Sequence, residues 1–129
     1  MNKEEINKLS GIILDSAIEV HRQLGPGLLE SVYEICLCRE LELRKIRFLK
    51  QVPIPIIYKG EKLNYDYRID LLVENEIIVE LKSVDILHSV FDAQLLTYLR
   101  LFDKKLGLLI NFNVPKLVDG FKRLINGYF

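Results

Sequence analysis

The chain carries no net charge: Lys and Arg number 18 and Asp and Glu number 18. That balance excludes a global positive field drawing the protein onto a polyanion, so any affinity for nucleic acid has to come from a local patch. The densest run of cations, Arg39, Arg44, Lys45, Arg47 and Lys50, is diluted by Glu40 and Glu42 and is explained as well by a solvated helix end. No stretch of about 18 apolar residues occurs, which argues against a membrane-spanning helix and a membrane partner. The polar start MNKEEINK has no signal-peptide core, so the expected location is cytoplasmic. Cysteine is scarce. Cys36 and Cys38 stand two apart, and on a helix that spacing turns the thiols away from each other. It excludes a zinc pair and an obvious disulfide, leaving two reduced, partly buried side chains. Repeats, low-complexity tracts and linkers are absent too, so 129 residues make one domain with one continuous core.

What the chain has in quantity is apolar side chains, 50% of residues with a mean hydropathy of +0.15. That is rich for so small a protein and leaves surface for burial between subunits, so a homodimer is one expectation.

The charges that matter sit in LNYDYRIDLLVENEIIVELKS, where two apolar runs flank Glu74-Asn75-Glu76. A hairpin with those three residues as its loop, Asn75 left-handed, sets Asp70 opposite Glu80 and Arg68 opposite Lys82. Period 2 then gives Tyr65, Tyr67, Ile69, Leu71, Val73, Ile77, Val79 and Leu81 to a core face. The other face takes Asp66, Arg68, Asp70, Glu80 and Lys82. Two carboxylates directly opposite repel, and burying them costs roughly several kcal/mol unless a cation sits between. A divalent metal with Lys82 beside it would serve. Two alternatives stand: the charges are solvated on the wet side of an antiparallel sheet, or a two-residue loop shifts the register and parts Asp70 from Glu80.

Ile6, Leu9, Ile13, Ala17, Val20 and Leu24 predict an amphipathic helix over about residues 5–24, stopped by Gly25-Pro26-Gly27. His21 lies at the edge of its stripe, where a satisfied, partly buried histidine is commoner than a ligand. A second helix is expected over about residues 28–44. Glu30 in its first turn has an ordinary explanation in the helix dipole; a functional one is that the Gly-x-Gly break aims Glu30 and Tyr33 into a cleft. Residues 52–58, with Pro53 and Pro55, read as an edge or bulged strand, and Lys59-Gly60-Glu61 as a turn. A helix over residues 85–102 places Gln94 and Tyr98 one turn apart. A strand over residues 106–111, covered on both faces, and a closing helix over about residues 116–125 complete the chain. The order gives an α/β domain with a mixed sheet, the helix between strands three and four allowing a parallel crossover.

Gly27-Leu28-Leu29-Glu30-Ser31-Val32-Tyr33 resembles the motif of the GxxExxY proteins, small prokaryotic proteins of the PD-(D/E)xK nuclease-like superfamily. The likeness continues through His21-Arg22-Gln23-Leu24-Gly25-Pro26-Gly27, Gln51-Val52-Pro53, Tyr58-Lys59-Gly60, Asp70-Leu71-Leu72-Val73, Val79-Glu80-Leu81-Lys82, Gln94-Leu95-Leu96-Thr97-Tyr98-Leu99 and Gly107-Leu108-Leu109-Ile110-Asn111-Phe112. The resemblance implies a single α/β, restriction-endonuclease-like domain whose mixed β-sheet of about four strands is flanked by helices. It implies Asp70 and Glu80 as metal-binding carboxylates, Lys82 as the lysine of the ExK motif, Glu30 as the acidic residue of the first core helix, and Gln94 and Tyr98 at the substrate. Where members often carry a histidine three residues before the glutamine, this chain has Phe91, with His88 a turn earlier.

The implied function is a Mg²⁺- or Mn²⁺-dependent nuclease hydrolysing phosphodiester bonds in DNA or RNA. Asp70, Glu80 and the Leu81 carbonyl would hold the cation and Glu30 a second metal or its water. Lys82 would act on the attacking water, and Gln94, Tyr98 and Tyr33 would meet the substrate. His21 joins the metal site only if the Gly-Pro-Gly break folds its helix end inward. The rival expectations are a catalytically inactive module that binds nucleic acid or a protein partner, and an accessory subunit of a homo-oligomer.

Overall fold

A computed structural model describes residues 1–129. Helix α1 (Lys3–Leu24) opens on a reciprocal cap: Asn2 Oδ1 accepts the Glu5 N–H at 2.8 Å and the Glu5 carboxylate accepts the Asn2 N–H at 3.0 Å. It closes at Gly25, whose φ of 72° only glycine adopts easily. Helix α2 (Glu30–Leu43) follows at once. Then come β1 (Phe48–Pro53), β2 (Ile56–Tyr58), β3 (Glu61–Leu63), β4 (Arg68–Val73), β5 (Ile77–Lys82), α3 (Ser89–Phe102), β6 (Leu106–Asn111) and β7 (Phe121–Ile125).

Five strands form one mixed sheet in the order β1-β4-β5-β6-β7, with β5 and β6 parallel and the other pairs antiparallel. The expected edge strand exists as β1, but it starts earlier and ends at Pro53; Pro55 then separates it from a small β2–β3 hairpin turned by Lys59-Gly60. Ile6, Leu9, Ile13 and Ala17 of α1 and Tyr33, Leu37 and Leu41 of α2 pack with Leu71, Val79, Leu81 and Leu108 on one side of the sheet. On the other side Leu95, Tyr98 and Leu99 of α3 pack with Ile54, Ile69, Leu72, Ile78 and Leu109. Every residue of β6 is buried, as its unbroken apolar run requires. Asn111 then anchors the crossover out of β5: its Oδ1 accepts the Val84 N–H and its Nδ2 donates to the Val84 carbonyl. Both cysteines are free, and burial pushes the Cys38 thiol up to about 11. No helix is long and apolar enough to cross a membrane.

The expected closing helix over residues 116–125 is a correction. The chain makes one 3-10 turn, Leu117–Gly120, and then strand β7 against β6. The unpaired edge of a fully buried β6 would leave its N–H and C=O groups without partners, and that demand outweighs the helical spacing of Leu117, Phe121 and Leu124.

Gly120 makes this junction possible: a Cβ there would stand 2.1 Å from the Asn111 carbonyl oxygen, a backbone atom that cannot swing away. Gly120→Ala should therefore destabilise the fold by about 1–3 kcal/mol or more. Gly11→Ala, in mid-α1 with nothing within 4 Å of its Cβ, should stabilise it by up to about 1 kcal/mol. Chemical denaturation of both variants checks the pair of signs.

Candidate functional site

The β4–β5 hairpin turns on Glu74-Asn75-Glu76, with Glu74 (φ 51°) and Asn75 (φ 56°) both left-handed. Val73 pairs with Ile77 and Leu71 with Val79, so the three-residue loop holds and Asp70 comes opposite Glu80. At that next position side chains take over from the ladder. The Asp70 N–H donates to Glu80 Oε1 at 3.0 Å, and the Leu81 N–H donates to Asp70 Oδ2 at 2.8 Å. The two carboxyl groups thus fill the gap between the strands.

The single core face expected for Tyr67, Ile69, Leu71 and Val73 does not hold. Tyr67 and Ile69 pack on the α3 side, whereas Leu71 and Val73 pack on the α1/α2 side, so the alternation slips by one residue at Asp70. Across from Asp70, the β1–β4 pairing skips Gln51, which is left-handed at φ 53°. Such a local break turns a strand and re-aims a side chain. Here it leaves Asp70 on a cavity of about 220 Å³ lined by Glu30, Ser31, Glu34, Gln51, Asp70 and Leu81. Gln51 Nε2 donates to Glu34 Oε1 at 2.6 Å and lies 3.5 Å from Asp70 Oδ1.

Positive charge is short around Asp70. Burial pushes the Glu80 carboxyl, 6% exposed, well above its ordinary 4.5, and the facing Asp70 charge pushes it further; the Asp70 N–H and Lys82 pull only partly the other way. Glu34 is raised by burial and then held back by the Gln51 hydrogen bond, with Asp70 raising it and Lys50 lowering it. Glu30 is raised by partial loss of solvent, with Lys82 opposing the rise and Asp70 and Glu34 adding to it. The donor set is all oxygen, the kind a hard divalent cation takes. As the side chains stand, no three of the His, Cys, Asp and Glu groups converge into a cage for an ion.

On the α3 side, Lys82 Nζ lies 4.4 Å from the centroid of the Phe91 ring and makes no ion pair. Gln94 Nε2 donates to the Tyr67 hydroxyl, and the Tyr67 and Tyr98 rings meet edge to face at 5.6 Å. Burial and then the Tyr67 hydroxyl push the Tyr98 phenol up, with the charges of Glu80 and Asp70 adding to the effect. Glu30, Asp70, Glu80, Leu81, Lys82, Gln94 and Tyr98 are therefore gathered around the end of the β4–β5 pair.

Tyr33 and His21 stand elsewhere. Tyr33 is fully buried, stacked 4.4 Å from Phe112, and its hydroxyl donates to the Gly25 carbonyl at 2.6 Å and accepts the Leu28 N–H at 3.1 Å. It clamps the Gly-Pro-Gly loop rather than facing the cavity. His21 Nε2 donates to the Val114 carbonyl at 2.8 Å, and His88 packs edge to face on Phe91 at 6.4 Å. Sequence reasoning missed Glu34, Gln51 and Tyr67. Glu34 sits one helical turn past Glu30, a signal that was available; Gln51 and Tyr67 gave none, because both depend on the slip at Asp70.

Raised carboxyl groups fix the sign of a pH effect. The folded state binds protons that the unfolded chain releases near 4.5, so this stabilisation is complete below that value and is lost as pH rises through the folded-state pKa. Melting temperature in chelator should fall as pH rises above about 4.5, and Glu80→Gln, which can still accept the Asp70 N–H, should flatten the fall. Parallel slopes for the two proteins would remove Glu80 as the titrating group.

A sequence model described as the PD-(D/E)XK nuclease superfamily matches residues 7–124. No curated protein and no solved structure matches the chain. With the match running from the second turn of α1 into β7, over a mixed sheet that carries Asp70, Glu80 and Lys82 on adjacent strands, the chain belongs to the PD-(D/E)XK nuclease superfamily.

Proposed function

We propose that this protein is a nuclease that hydrolyses phosphodiester bonds with a hard divalent cation, Mg²⁺ or Mn²⁺. The observation that carries the reading is the reciprocal pair at the end of β4–β5. Glu80 accepts the Asp70 N–H and Asp70 accepts the Leu81 N–H, and Glu80 is buried where its charge is unfavourable unless a cation joins it. Asp70, Glu80 and the Leu81 carbonyl would hold the ion, with Glu30 and Glu34 reaching it from the other wall of the cavity. When bound, the cation neutralises the phosphodiester and acidifies water.

The chain's own residues do the rest. Lys82 has its ammonium on the Phe91 ring and no carboxylate in an ion pair, so its N–H groups are free to orient water and to meet charge developing on the phosphorus. Gln94 and Tyr98, tied through Tyr67, form the wall against which the substrate rests. A binding module without turnover is the second reading, favoured by carboxyl groups that do not converge on one point. Incubating the protein with plasmid and with DNA and RNA oligonucleotides in Mg²⁺ or Mn²⁺ separates the two. Metal-dependent cleavage that disappears in Glu80→Ala supports the nuclease; binding without cleavage in either metal supports the module.

Lys82→Ala should lower the cleavage rate by about 100- to 1,000-fold, the scale of losing one preorganised charge partner. Mg²⁺ affinity by calorimetry should hold, since the ammonium acts on water and phosphate; loss of metal binding would overturn the assigned role.

Asp70→Asn should behave oppositely with and without metal. In chelator it relieves repulsion with Glu80, so the melting temperature should hold or rise. At a hundredfold excess of Mg²⁺ over Kd the native protein should gain about 2.7 kcal/mol, and the variant should lose most of that gain. Equal metal-induced shifts would remove Asp70 from the cation site.

A further inference from the structure

The largest cavity is not the acidic one. About 520 Å³ opens where β1 gives way to the β2–β3 hairpin, lined by Pro53, Ile54, Pro55, Lys62, Leu63, Asn64 and Tyr65. The composition of its wall is that of a recognition surface. Tyr65 is 69% exposed, a large π-face left in water at the hairpin's return to β4. Lys62 and Asn64 make no side-chain hydrogen bond within the chain, so an ammonium and an amide are both unengaged beside that ring. Tyr58 on the same hairpin is 62% exposed, with Lys59 Nζ 5.6 Å from its ring. Exposed rings interleaved with lysines match a flat aromatic base joined to an anionic phosphate.

The cavity is also connected to the catalytic end of the sheet. The Tyr65 and Tyr67 rings lie 6.1 Å apart, and the Tyr67 and Tyr98 rings 5.6 Å apart. Tyr98 in turn feels the charges of Glu80 and Asp70. A row of tyrosines thus leads from the open cavity to the carboxyl groups.

We infer that this cavity is a nucleotide subsite that grips an unpaired base next to the cleaved linkage, making single-stranded nucleic acid, or a frayed strand end, the substrate class. The inference rests on the nuclease reading and adds the substrate to it. Tyr65 stacks on the base, the Asn64 amide meets the base edge, and the Lys62 ammonium meets the phosphate. A base inside a duplex is covered on both faces by its neighbours and has no face to give Tyr65, so a blunt duplex is excluded from the subsite. The neutral net charge agrees with this, because stacking needs no global positive field.

The test measures binding apart from cleavage, by anisotropy of labelled DNA and RNA oligonucleotides with the full chain in chelator. Single strands should bind at least about tenfold more tightly than a blunt duplex at the same salt. Tyr65→Ala should weaken single-strand binding by about tenfold or more, while Tyr65→Phe, which keeps the π-face, should stay within about twofold. Lys62→Ala should lower the slope of log affinity against log salt by about 0.7. Melting curves should show Tyr65→Ala folded as the native chain is, since the ring is exposed. Native-like strand binding by both Tyr65→Ala and Lys62→Ala overturns the subsite, and metal-dependent cleavage by those variants would leave the nuclease reading standing. Equal affinity for duplex and single strand overturns the substrate class. Neither binding nor cleavage of any nucleic acid by the native protein overturns both.

Discussion

Two carboxyl groups hold the end of the β4–β5 pair where backbone hydrogen bonds would ordinarily do so. Asp70 accepts from Leu81 and Glu80 accepts from Asp70, so the strands stay paired yet part just enough for side chains to enter. Like-charged groups in that position repel, and burial of Glu80 adds the cost of stripping water from a carboxylate. Burial and the facing Asp70 charge push the Glu80 carboxyl well above its ordinary range, and every buried side-chain polar atom has a hydrogen-bond partner. The same feature makes the arrangement responsive to positive charge, because the Asp70 N–H and Lys82 offset the rise at Glu80 only in part.

The Gly27-to-Tyr33 motif serves this pair indirectly. Tyr33 is the fully buried end of the motif; its hydroxyl ties Gly25 to Leu28 and so fixes the loop between α1 and α2. Ser83 Oγ donates to the Leu28 carbonyl at 2.6 Å, fastening that loop to the end of β5 one residue after Lys82. Glu30, first residue of α2, is therefore set at the mouth of the cavity by contacts at both of its flanks, and Glu34 follows one turn deeper. Two residues of one motif have different tasks: the tyrosine builds the loop and the glutamate faces the opening.

Much of this could be read from the chain alone, and the limits have physical causes. Asn75 and its neighbours announced the hairpin because few residues tolerate φ near 56°, and that loop alone set Asp70 against Glu80. The β6 run and the α1 stripe were legible because their environments are uniform along their length. The face slip at Asp70 was not, since it arises from Gln51 on a different strand adopting a left-handed backbone with no glycine to advertise it. Tyr67 consequently moved from an expected place beside Leu71 to the α3 side, next to Gln94 and Tyr98. Strand β7 was hidden because a five-residue apolar pattern fits either period, and only the open edge of β6 decides between them.

Net neutrality conceals an uneven distribution that governs how a polyanion meets this domain. Glu30, Glu34, Asp70 and Glu80 gather around one end of the sheet, so that end repels phosphate until protons or a cation reduce its charge. The row running outward through Tyr67 and Tyr65 carries no such penalty, since rings attract bases whether or not the acidic groups are neutralised. On the proposed reading, affinity for a strand then has two parts with different dependences. Contact at Tyr65 and Lys62 persists in chelator, whereas entry of the phosphodiester between Asp70 and Lys82 requires the cation. On that reading a strand would be held first by its base and admitted to the carboxyl groups second, which would limit hydrolysis to linkages whose neighbouring base has already left a duplex.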